Sequence, residues 1–252
     1  MQFADEDGMP VVRVVGRVGS VHPVQNAKVD GARLTFDDGG RWDITVHDRQ
    51  LSGRSPAGQL SGVQAPRLAS RSIAAWGNPQ PLFDGRDLHG WAPDNPARNH
   101  WIAGRGELLN PQAGANLRTT RDFNDFKLHI EYNCPPGGNS GVYLRGRYEV
   151  QVEYEPAGKN DAAHSMGSIY GFLPPVAGVP PRPGVWESYD VTLIGRNVTV
   201  VRDGVLIIDR REIPGITGGA IDSKEGAPGP IYLQGDHSGG LKFRNITISL
   251  PR

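Results

Sequence analysis

Residues 137–153 read GGNSGVYLRGRYEVQVE and contain two alternating runs separated by a short turn. In the second run, Glu149 and Glu153 occupy one parity, whereas Val150 and Val152 occupy the other. A period of two is typical of β-strands, because successive side chains point to opposite faces of a sheet. One strand face therefore carries several charges, and that face is either solvated or the wall of a binding site.

Turn-forming residues are spread along the whole chain. The sequence has 34 Gly and 21 Pro among 252 residues, and they flank short β-rich runs. Amphipathic periodicity of the helical kind is hard to find over ten or more residues. This pattern is typical of many short strands joined by tight turns. We therefore predict an all-β protein whose main domain is a two-sheet sandwich or jelly roll, with a small antiparallel β segment before it.

Two units are predicted, a β-rich segment with its linker at 1–79 and a sandwich at 80–252. In the first unit, ARLTFDDGGRWDITV at 32–46 is expected to form a hairpin, because Asp-Gly and Gly-Gly supply the positive φ that such turns require. In the second unit, residues 155–185 form a long stretch rich in Pro and Gly. Loops of this length are uncommon unless they cover or build a site.

The overall charge and composition exclude several classes of partner. Lys+Arg and Asp+Glu both number 27, so nothing favours nucleic acid or an anionic membrane. No apolar run reaches the roughly 18 residues that span a bilayer. The single cysteine, Cys134, is expected to be a small buried hydrophobe.

The start of the chain bears on its location. MQFADEDGMP lacks the basic and apolar regions of a signal peptide, although a removed leader would leave the same start. We expect a periplasmic or secreted bacterial protein, with the cytoplasm as the alternative. The oligomeric state stays open.

An ordered set of motifs after residue 81 resembles a known family. The motifs are LFDGRDLHGW, W-x-x-x-x-G-E-L from Trp101 to Leu108, DFKLHIEY, PPGGNSGVYLRGRYEVQV, WESYD and GPIYLQGDHSGGLKFRNI. They are similar to the DUF1080 family, also called the 3-keto-disaccharide hydrolase domain. The resemblance implies a concanavalin A-like sandwich. It also implies a small-molecule substrate, a glycoside already oxidised to a ketone at C3, that is cleaved by hydrolysis or elimination.

The chemistry of a 3-keto sugar defines what such a site needs. The C2 proton is acidic because the resulting carbanion delocalises onto the C3 oxygen, and its removal allows β-elimination of the C1 substituent. The enzyme needs a base near C2, a stabiliser of the enolate oxygen and an acid for the leaving oxygen. One divalent metal ion chelated by O2 and O3 would be an efficient stabiliser, and arginine is the metal-free substitute. No nucleotide cofactor is expected, since GRGEL lacks a βαβ context.

Carboxylates and histidines that are distant in sequence can converge on one concave sheet face. The predicted catalytic residues are Glu149, His237, Arg145 and Glu131, and Glu149 and His237 are also the candidate metal ligands. The predicted substrate-binding residues are Asn139, Gln151, Glu153, His164, Tyr170, Glu187 and Gln234. Each has a structural alternative: the acids can form a solvated strand face, and GNSG at 138–141 can form a bulge or tight turn.

Two other functions compete with cleavage of 3-keto-glycosides. Concanavalin-like retaining glycosidases carry a strand motif similar to E-x-D-x-E, but Gln151 stands at the central position here. Glu149 and Glu153 would also lie about 13 Å apart at Cα, whereas retaining chemistry requires carboxyl groups about 5–5.5 Å apart. A non-catalytic glycan-binding module is the third alternative, although neutral sugars need few charges.

Overall fold

The computed structural model describes residues 1–6, 9–16, 19–68, 71–154, 161–176 and 178–252. The chain divides into two compact units, Met1–Arg67 and Leu68–Arg252. Strands provide nearly all the regular structure, and the described residues contain no α-helix, so the prediction of an all-β protein is confirmed. Two short 3-10 helices occur, at Pro96–Arg98 and Ala162–His164. None of these helices is long and apolar enough to cross a membrane.

The described residues of the first unit form two antiparallel sheets. The strands of the three-stranded sheet are β1 (Gln2–Glu6), β2 (Met9–Val14) and β3 (His22–Pro23). The strands of the five-stranded meander are β4 (Gln25–Asp30), β5 (Arg33–Asp37), β6 (Arg41–His47), β7 (Gln50–Ser55) and β8 (Gly58–Val63).

The hairpin predicted at 32–46 is confirmed as β5 and β6. Gly39 supplies a φ of 60° in the connection. Phe36 lies opposite Trp42, and the two rings stack with centroids 5.2 Å apart. Phe36 belongs to a small buried core that Leu34 and Ile44 share. Alternation of large apolar residues on the two strands thus provides this unit with its own core.

Within the part of the second unit that the structure describes, thirteen strands form two larger antiparallel sheets. The strands are β9 (Gln80–Pro81), β10 (Trp91–Pro93), β11 (Ile102–Gly104), β12 (Glu107–Asn110), β13 (Leu117–Thr119), β14 (Phe126–Asn133), β15 (Asn139–Leu144), β16 (Tyr148–Glu153), β17 (Trp186–Ile194), β18 (Asn197–Arg202), β19 (Val205–Glu212), β20 (Tyr232–Leu233) and β21 (Leu241–Ser249). The eight-stranded sheet has the order β11-β12-β21-β14-β17-β18-β19, with β9 paired to β21. The five-stranded sheet has the order β10-β13-β20-β15-β16.

The two sheets enclose one apolar core, as expected for a concanavalin A-like jelly-roll sandwich. Leu128 and Ile130 contribute to it from the eight-stranded sheet, and Val142 and Val150 contribute from the five-stranded sheet. Cys134 is buried in the same core, as predicted from the sequence. This arrangement leaves the second face of the five-stranded sheet to the alternate, polar residues of β15 and β16.

That second face is largely covered. Every residue of β16 is buried, including Glu149 and Glu153. A segment at 167–170 extends the sheet beyond β16, where Ile169 forms a bridge with Val150. This segment belongs to the long stretch predicted at 155–185, of which residues 155–160 and 177 lie outside the described residues. The charged face of β16 is therefore not solvated, unlike an ordinary polar strand face.

Candidate active site

The strand register brings four side chains into one row on the polar face of the five-stranded sheet. Residues directly opposite each other in antiparallel strands project from the same face. Successive pairings across β13, β20, β15 and β16 join Arg118, Tyr232, Tyr143 and Glu149. A second row runs beside it, in which the backbone of Gln234 pairs with Gly141, and Gly141 lies opposite Gln151. These two rows together form a strip of side chains on the polar face. Because Arg118 is exposed and Glu149 is buried, the strip is open to solvent at the β13 end and enclosed at β16.

Glu149 occupies the closed end of this strip, where it is 3% exposed. Its Oε2 atom lies 2.8 Å from the hydroxyl of Tyr143, which also lies 2.9 Å from the carbonyl oxygen of Gly218. The backbone N–H of Glu149 donates to Oγ1 of Thr217 at 3.1 Å. Contacts from two separate parts of the chain, β15 and residues 217–218, therefore hold the residue in place.

Gly141 provides the space that the Glu149 side chain occupies. A Cβ atom at position 141 would overlap Oε1 and the carboxyl carbon of Glu149. The pairing of β15 with β16 is unbroken across this residue, so GNSG is not a bulge at this point. The glycine is required because the carboxyl group of Glu149 lies across the strand at this position.

Burial decides the protonation of Glu149. It raises the pKa of the Glu149 carboxyl to about 8, and the negative charges of Asp236 and Glu153 act in the same direction, whereas the hydrogen bond with Tyr143 acts against them. The hydrogen bond from His237, by contrast, lowers the pKa of Asp236. One carboxylic acid and one carboxylate therefore lie on the same face at neutral pH.

His237 follows Asp236 in the turn after β20. Its Nδ1 atom lies 2.8 Å from Oδ1 of Asp236, and both side chains are about half exposed. Asp236 acts electrostatically on both Glu149 and Tyr143. The turn that carries Asp236 and His237 therefore borders the strip.

The predicted binding residues Gln151, Glu153 and Gln234 lie together on this face. Gln151 Nε2 donates a hydrogen bond to Glu153 Oε2. This contact fixes the orientation of the Gln151 amide and leaves its oxygen as the group that can accept a hydrogen bond. The side-chain oxygens of Gln151 and Gln234 are both buried and have no donor among the described residues. An unsatisfied buried acceptor is unfavourable, and a ligand hydroxyl or a water that reached it would remove this cost.

Three other predicted residues border the strip. Asn139 lies opposite Glu153, and its backbone N–H donates to Ser238 Oγ at 2.6 Å. Tyr170 donates its backbone N–H to the carbonyl oxygen of Glu149 at 3.1 Å, and its ring packs edge-on against His164 with centroids 4.8 Å apart. These residues extend the polar face to both sides of β16.

The structure does not bring Arg145 to this face. Arg145 begins the turn after β15 with a φ of 53°, which ends the strand alternation. Its guanidinium donates to the Tyr148 hydroxyl at 3.1 Å and to the Gly195 carbonyl at 2.9 Å. Tyr148 is a core residue, so Arg145 links the ends of the two sheets.

Glu131 is also elsewhere, on the outer face of the eight-stranded sheet. Its carboxylate accepts from Arg244 Nε at 2.6 Å and from Asn245 Nδ2 at 2.9 Å. These contacts lower its pKa despite the opposing effect of partial burial. Glu131 therefore forms an ion pair on a different surface from Glu149.

Glu187 lies inside the sandwich. Arg202 donates to Glu187 Oε2 through Nε at 2.9 Å and through Nη2 at 2.6 Å, and Tyr154 donates to the other oxygen. The side chain of Glu187 is completely buried and that of Arg202 nearly so. This is a structural ion pair, and it does not contact the strip.

Four residues on the strip were not among the predicted site residues: Arg118, Tyr143, Tyr232 and Asp236. Tyr143 shares strand parity with Asn139 and Gly141, which is the one signal that could have identified it. Arg118 belongs to no motif that points to a site. Its position depends on the pairing of β13 with β20, which no local pattern predicts.

The predicted metal ligands do not form a metal site by their own geometry. Within the described residues, no group of three or more His, Cys, Asp and Glu side chains could hold a metal ion. The carboxyl group of Glu149 is hydrogen-bonded to the Tyr143 hydroxyl, and Nδ1 of His237 is hydrogen-bonded to Asp236. Among the described residues, Glu149 and His237 therefore lack the further ligands that a metal site requires.

We expect Gly141→Ala to displace the Glu149 carboxyl group, because the added methyl overlaps it. Overpacking of this kind costs about 1–3 kcal/mol in free energy of unfolding, measured by urea denaturation. The matched control is Gly104→Ala, since Gly104 is also a strand glycine but has no atom within 4 Å of its added Cβ. Equal stability of the two variants would contradict this account of Gly141.

The raised pKa of Glu149 predicts a specific pH dependence of stability. The carboxyl group titrates near 8 in the folded protein and near its ordinary 4.5 when unfolded. Its contribution to stability is therefore complete below 4.5 and is lost as pH rises through 8, by up to about 1.4 kcal/mol per pH unit. Urea unfolding across this range should show the loss in the wild type, and Glu149→Gln should lack that component. Parallel curves would indicate an ordinary carboxylate.

The buried ion pair of Glu187 with Arg202 predicts that Glu187 stabilises the folded protein. Glu187→Gln leaves Arg202 buried without its counter-charge, and breaking such a pair costs about 3–5 kcal/mol. Glu212→Gln is the control, because Glu212 pairs with Arg196 while 61% exposed, and we expect a cost of about 1 kcal/mol or less there. Thermal unfolding of both variants measures the difference, and similar small losses would count against a structural role.

The family model for the 3-keto-alpha-glucoside-1,2-lyase-like domain matches residues 78–249. Comparison with functionally curated proteins finds no match. Solved structures from Parabacteroides distasonis ATCC 8503, provisionally named glycosyl hydrolases, are similar to this chain. One is 32% identical, covers 68% of this chain and 83% of its own, and has a TM-score of 0.58. A second is 25% identical, covers 69% and 98%, and has a TM-score of 0.52. The resemblance read from the sequence motifs is thus confirmed, and the chain belongs to the 3-keto-alpha-glucoside-1,2-lyase-like family of carbohydrate-active proteins.

Proposed function

We propose that this protein cleaves 3-keto-glycosides by removing the C2 proton and eliminating the C1 substituent. The observation that carries the proposal is the opposite protonation of two carboxyl groups on one face. Burial raises the pKa of Glu149 to about 8, and the hydrogen bond from His237 lowers that of Asp236. A carboxyl group that stays protonated at neutral pH can act as a general acid, and a carboxylate hydrogen-bonded to a histidine can support that histidine as a base. The family match supports a glycoside as the substrate.

Glu149 is the general acid in this proposal. The base takes the proton from C2, and the electron pair forms an enolate at C3. The ketone then reforms, a C1–C2 double bond forms, and the C1–O1 bond breaks. Glu149 gives its proton to O1, so the aglycone leaves as an alcohol. Addition of water at C1 of the resulting enone would make the net reaction a hydrolysis.

His237 is the proposed base. The contact between its Nδ1 and Asp236 places a proton on Nδ1 and makes Nε2 the basic nitrogen. A carboxylate in this position also stabilises the imidazolium ion that forms when Nε2 takes the proton from C2. The half-exposed position of His237 in the turn that borders the strip suits a group that meets the incoming sugar.

Arg118 replaces Arg145 as the proposed stabiliser of the enolate oxygen. It is the arginine that the strand register places in the row of Glu149, and it forms no salt bridge with a described carboxylate. Three strand spacings separate it from Glu149, about 14 Å at Cα, which leaves room for one sugar ring between the two side chains. The amide oxygens of Gln151 and Gln234 are proposed to accept hydrogen bonds from sugar hydroxyl groups of the same ring.

An ordinary retaining glycosidase is less well supported. It would need a carboxylate nucleophile about 5–5.5 Å from the acid. Glu153 is the other acid on the strand, and it accepts a hydrogen bond from Gln151, which stands where that class has a titratable Asp. The 3-keto reaction needs no nucleophile at C1, so this substitution does not impede it.

The test compares a 3-keto-glucoside that bears a chromogenic aglycone with the matched unoxidised glucoside. We expect release of the aglycone from the first substrate alone, with a slower rate when C2 carries deuterium. Glu149→Gln and His237→Ala should each lower kcat about 10²–10⁴-fold, whereas the exposed Glu212→Gln should retain the wild-type rate. Equal turnover of both glucosides would overturn the proposal in favour of direct glycoside hydrolysis, and binding without turnover would favour a glycan-binding module.

The divalent metal ion stays a prediction. The same assay tests whether activity depends on such an ion. Exhaustive chelation should leave the rate unchanged if Arg118 stabilises the enolate. Loss of activity that a divalent ion restores would assign the stabilising role to a metal.

A further inference from the structure

The hydroxyl group of Tyr143 lies between two oxygen atoms that both accept hydrogen bonds. Oε2 of Glu149 is 2.8 Å away, and the carbonyl oxygen of Gly218 is 2.9 Å away. A phenol has one proton and can donate to only one of them at a time. A carbonyl oxygen never donates, so the three atoms are all satisfied only when Tyr143 donates to Gly218 and a protonated Glu149 donates to Tyr143.

We infer that Tyr143 is a positioning residue for Glu149, whose hydroxyl hydrogen turns from the Gly218 carbonyl to the carboxylate when Glu149 gives up its proton. The inference rests on the proposed function in taking Glu149 as the general acid. The C1–O1 bond breaks, the proton of Glu149 moves to O1, and a carboxylate remains. Tyr143 keeps its own proton, which rotates about the C–O bond of the phenol. The rotation therefore needs no further proton donor or acceptor.

The packing around Tyr143 allows this rotation but no larger movement. Its ring is 1% exposed and meets Tyr232 edge-on with ring centroids 5.0 Å apart. A Cβ atom on Gly219 would come within 2.5 Å of the hydroxyl oxygen, so the backbone at this point lies directly against it. The oxygen is thus held in place from both sides, and the hydrogen is the part that can move.

The surrounding charges explain why Glu149 needs such a partner. Glu153 on its own strand and Asp236 in the turn after β20 both oppose ionisation of Glu149. Burial and the charges of Glu149 and Asp236 also raise the pKa of Tyr143 well above its usual value, so Tyr143 stays protonated and acts only as a donor. Among the groups facing Glu149, the hydrogen bond from Tyr143 is the contact that favours the carboxylate.

The experiment is a titration of Glu149 in the protein without substrate. The probe is ¹³C NMR of carboxyl-labelled glutamate, with the Glu149 signal assigned by its absence from Glu149→Gln. We expect Tyr143→Phe to move the Glu149 titration to higher pH than in the wild type, because the carboxylate loses its donor. The matched control is Tyr132→Phe, a fully buried tyrosine on the eight-stranded sheet, which should leave this titration in place.

A second variant protects the test against misfolding of Tyr143→Phe. Replacing Tyr143 with 3-fluorotyrosine keeps the shape of the ring and makes the phenol a stronger donor, so the Glu149 titration should move to lower pH. Opposite shifts in the two variants support the inference. An unchanged titration in both, or a fall in Tyr143→Phe, would overturn it.

Turnover then separates this inference from the proposed function. With the 3-keto-glucoside, Tyr143→Phe should lower kcat roughly tenfold or more with little change in KM, since a hydrogen bond to a developing charge is lost. The alkaline limb of the pH profile of kcat should also lie at higher pH in Tyr143→Phe than in the wild type. If the NMR shifts appear but the wild type does not cleave the 3-keto-glucoside, the pairing of Tyr143 with Glu149 stands and the proposed function fails.

Discussion

The burial of one carboxyl group is the constraint on which the polar face of this sandwich depends. Glu149 is almost fully enclosed, and burying an ionised carboxylate without a partner is costly. The protein meets this cost by keeping the group protonated and by placing the Tyr143 hydroxyl against it. Gly141 has no side chain because the carboxyl group occupies that space. The same burial provides an acid at neutral pH, so one physical condition explains both the local packing and the proposed chemistry.

Enclosure of this face comes from parts of the chain that are distant in sequence. Val150 packs in the core on one side of β16, while Thr217 and Gly218 lie against the residues on the other side. Residues 167–170 continue the sheet past β16, which would otherwise be an edge strand. A strand covered on both faces and along its edge gives its polar side chains a dry environment, in which small differences in contact produce large differences in pKa.

Most of the other charges that the sequence marked as site candidates stabilise the fold instead. Glu187 pairs with Arg202 inside the sandwich, and Glu131 pairs with Arg244 on the outer face of the other sheet. Arg145 leaves the strand through the turn and reaches the opposite sheet. A buried charge that is fully paired has its hydrogen-bonding capacity occupied, so it has little left for a substrate. Glu149 differs in that its nearest partner is a neutral hydroxyl.

Sequence alone determined the all-β architecture, the 32–46 hairpin and the family, because period-two alternation, turn residues and ordered motifs are local features of the chain. It also grouped Glu149, Gln151 and Glu153 on one strand face. Tertiary structure alone decided what covers that face and which strands lie beside it. Alternation specifies a side chain's face relative to its own strand, whereas burial, partner and protonation depend on segments brought together from elsewhere. For that reason the contact between Tyr143 and the Glu149 carboxyl group is visible only in the assembled sheets.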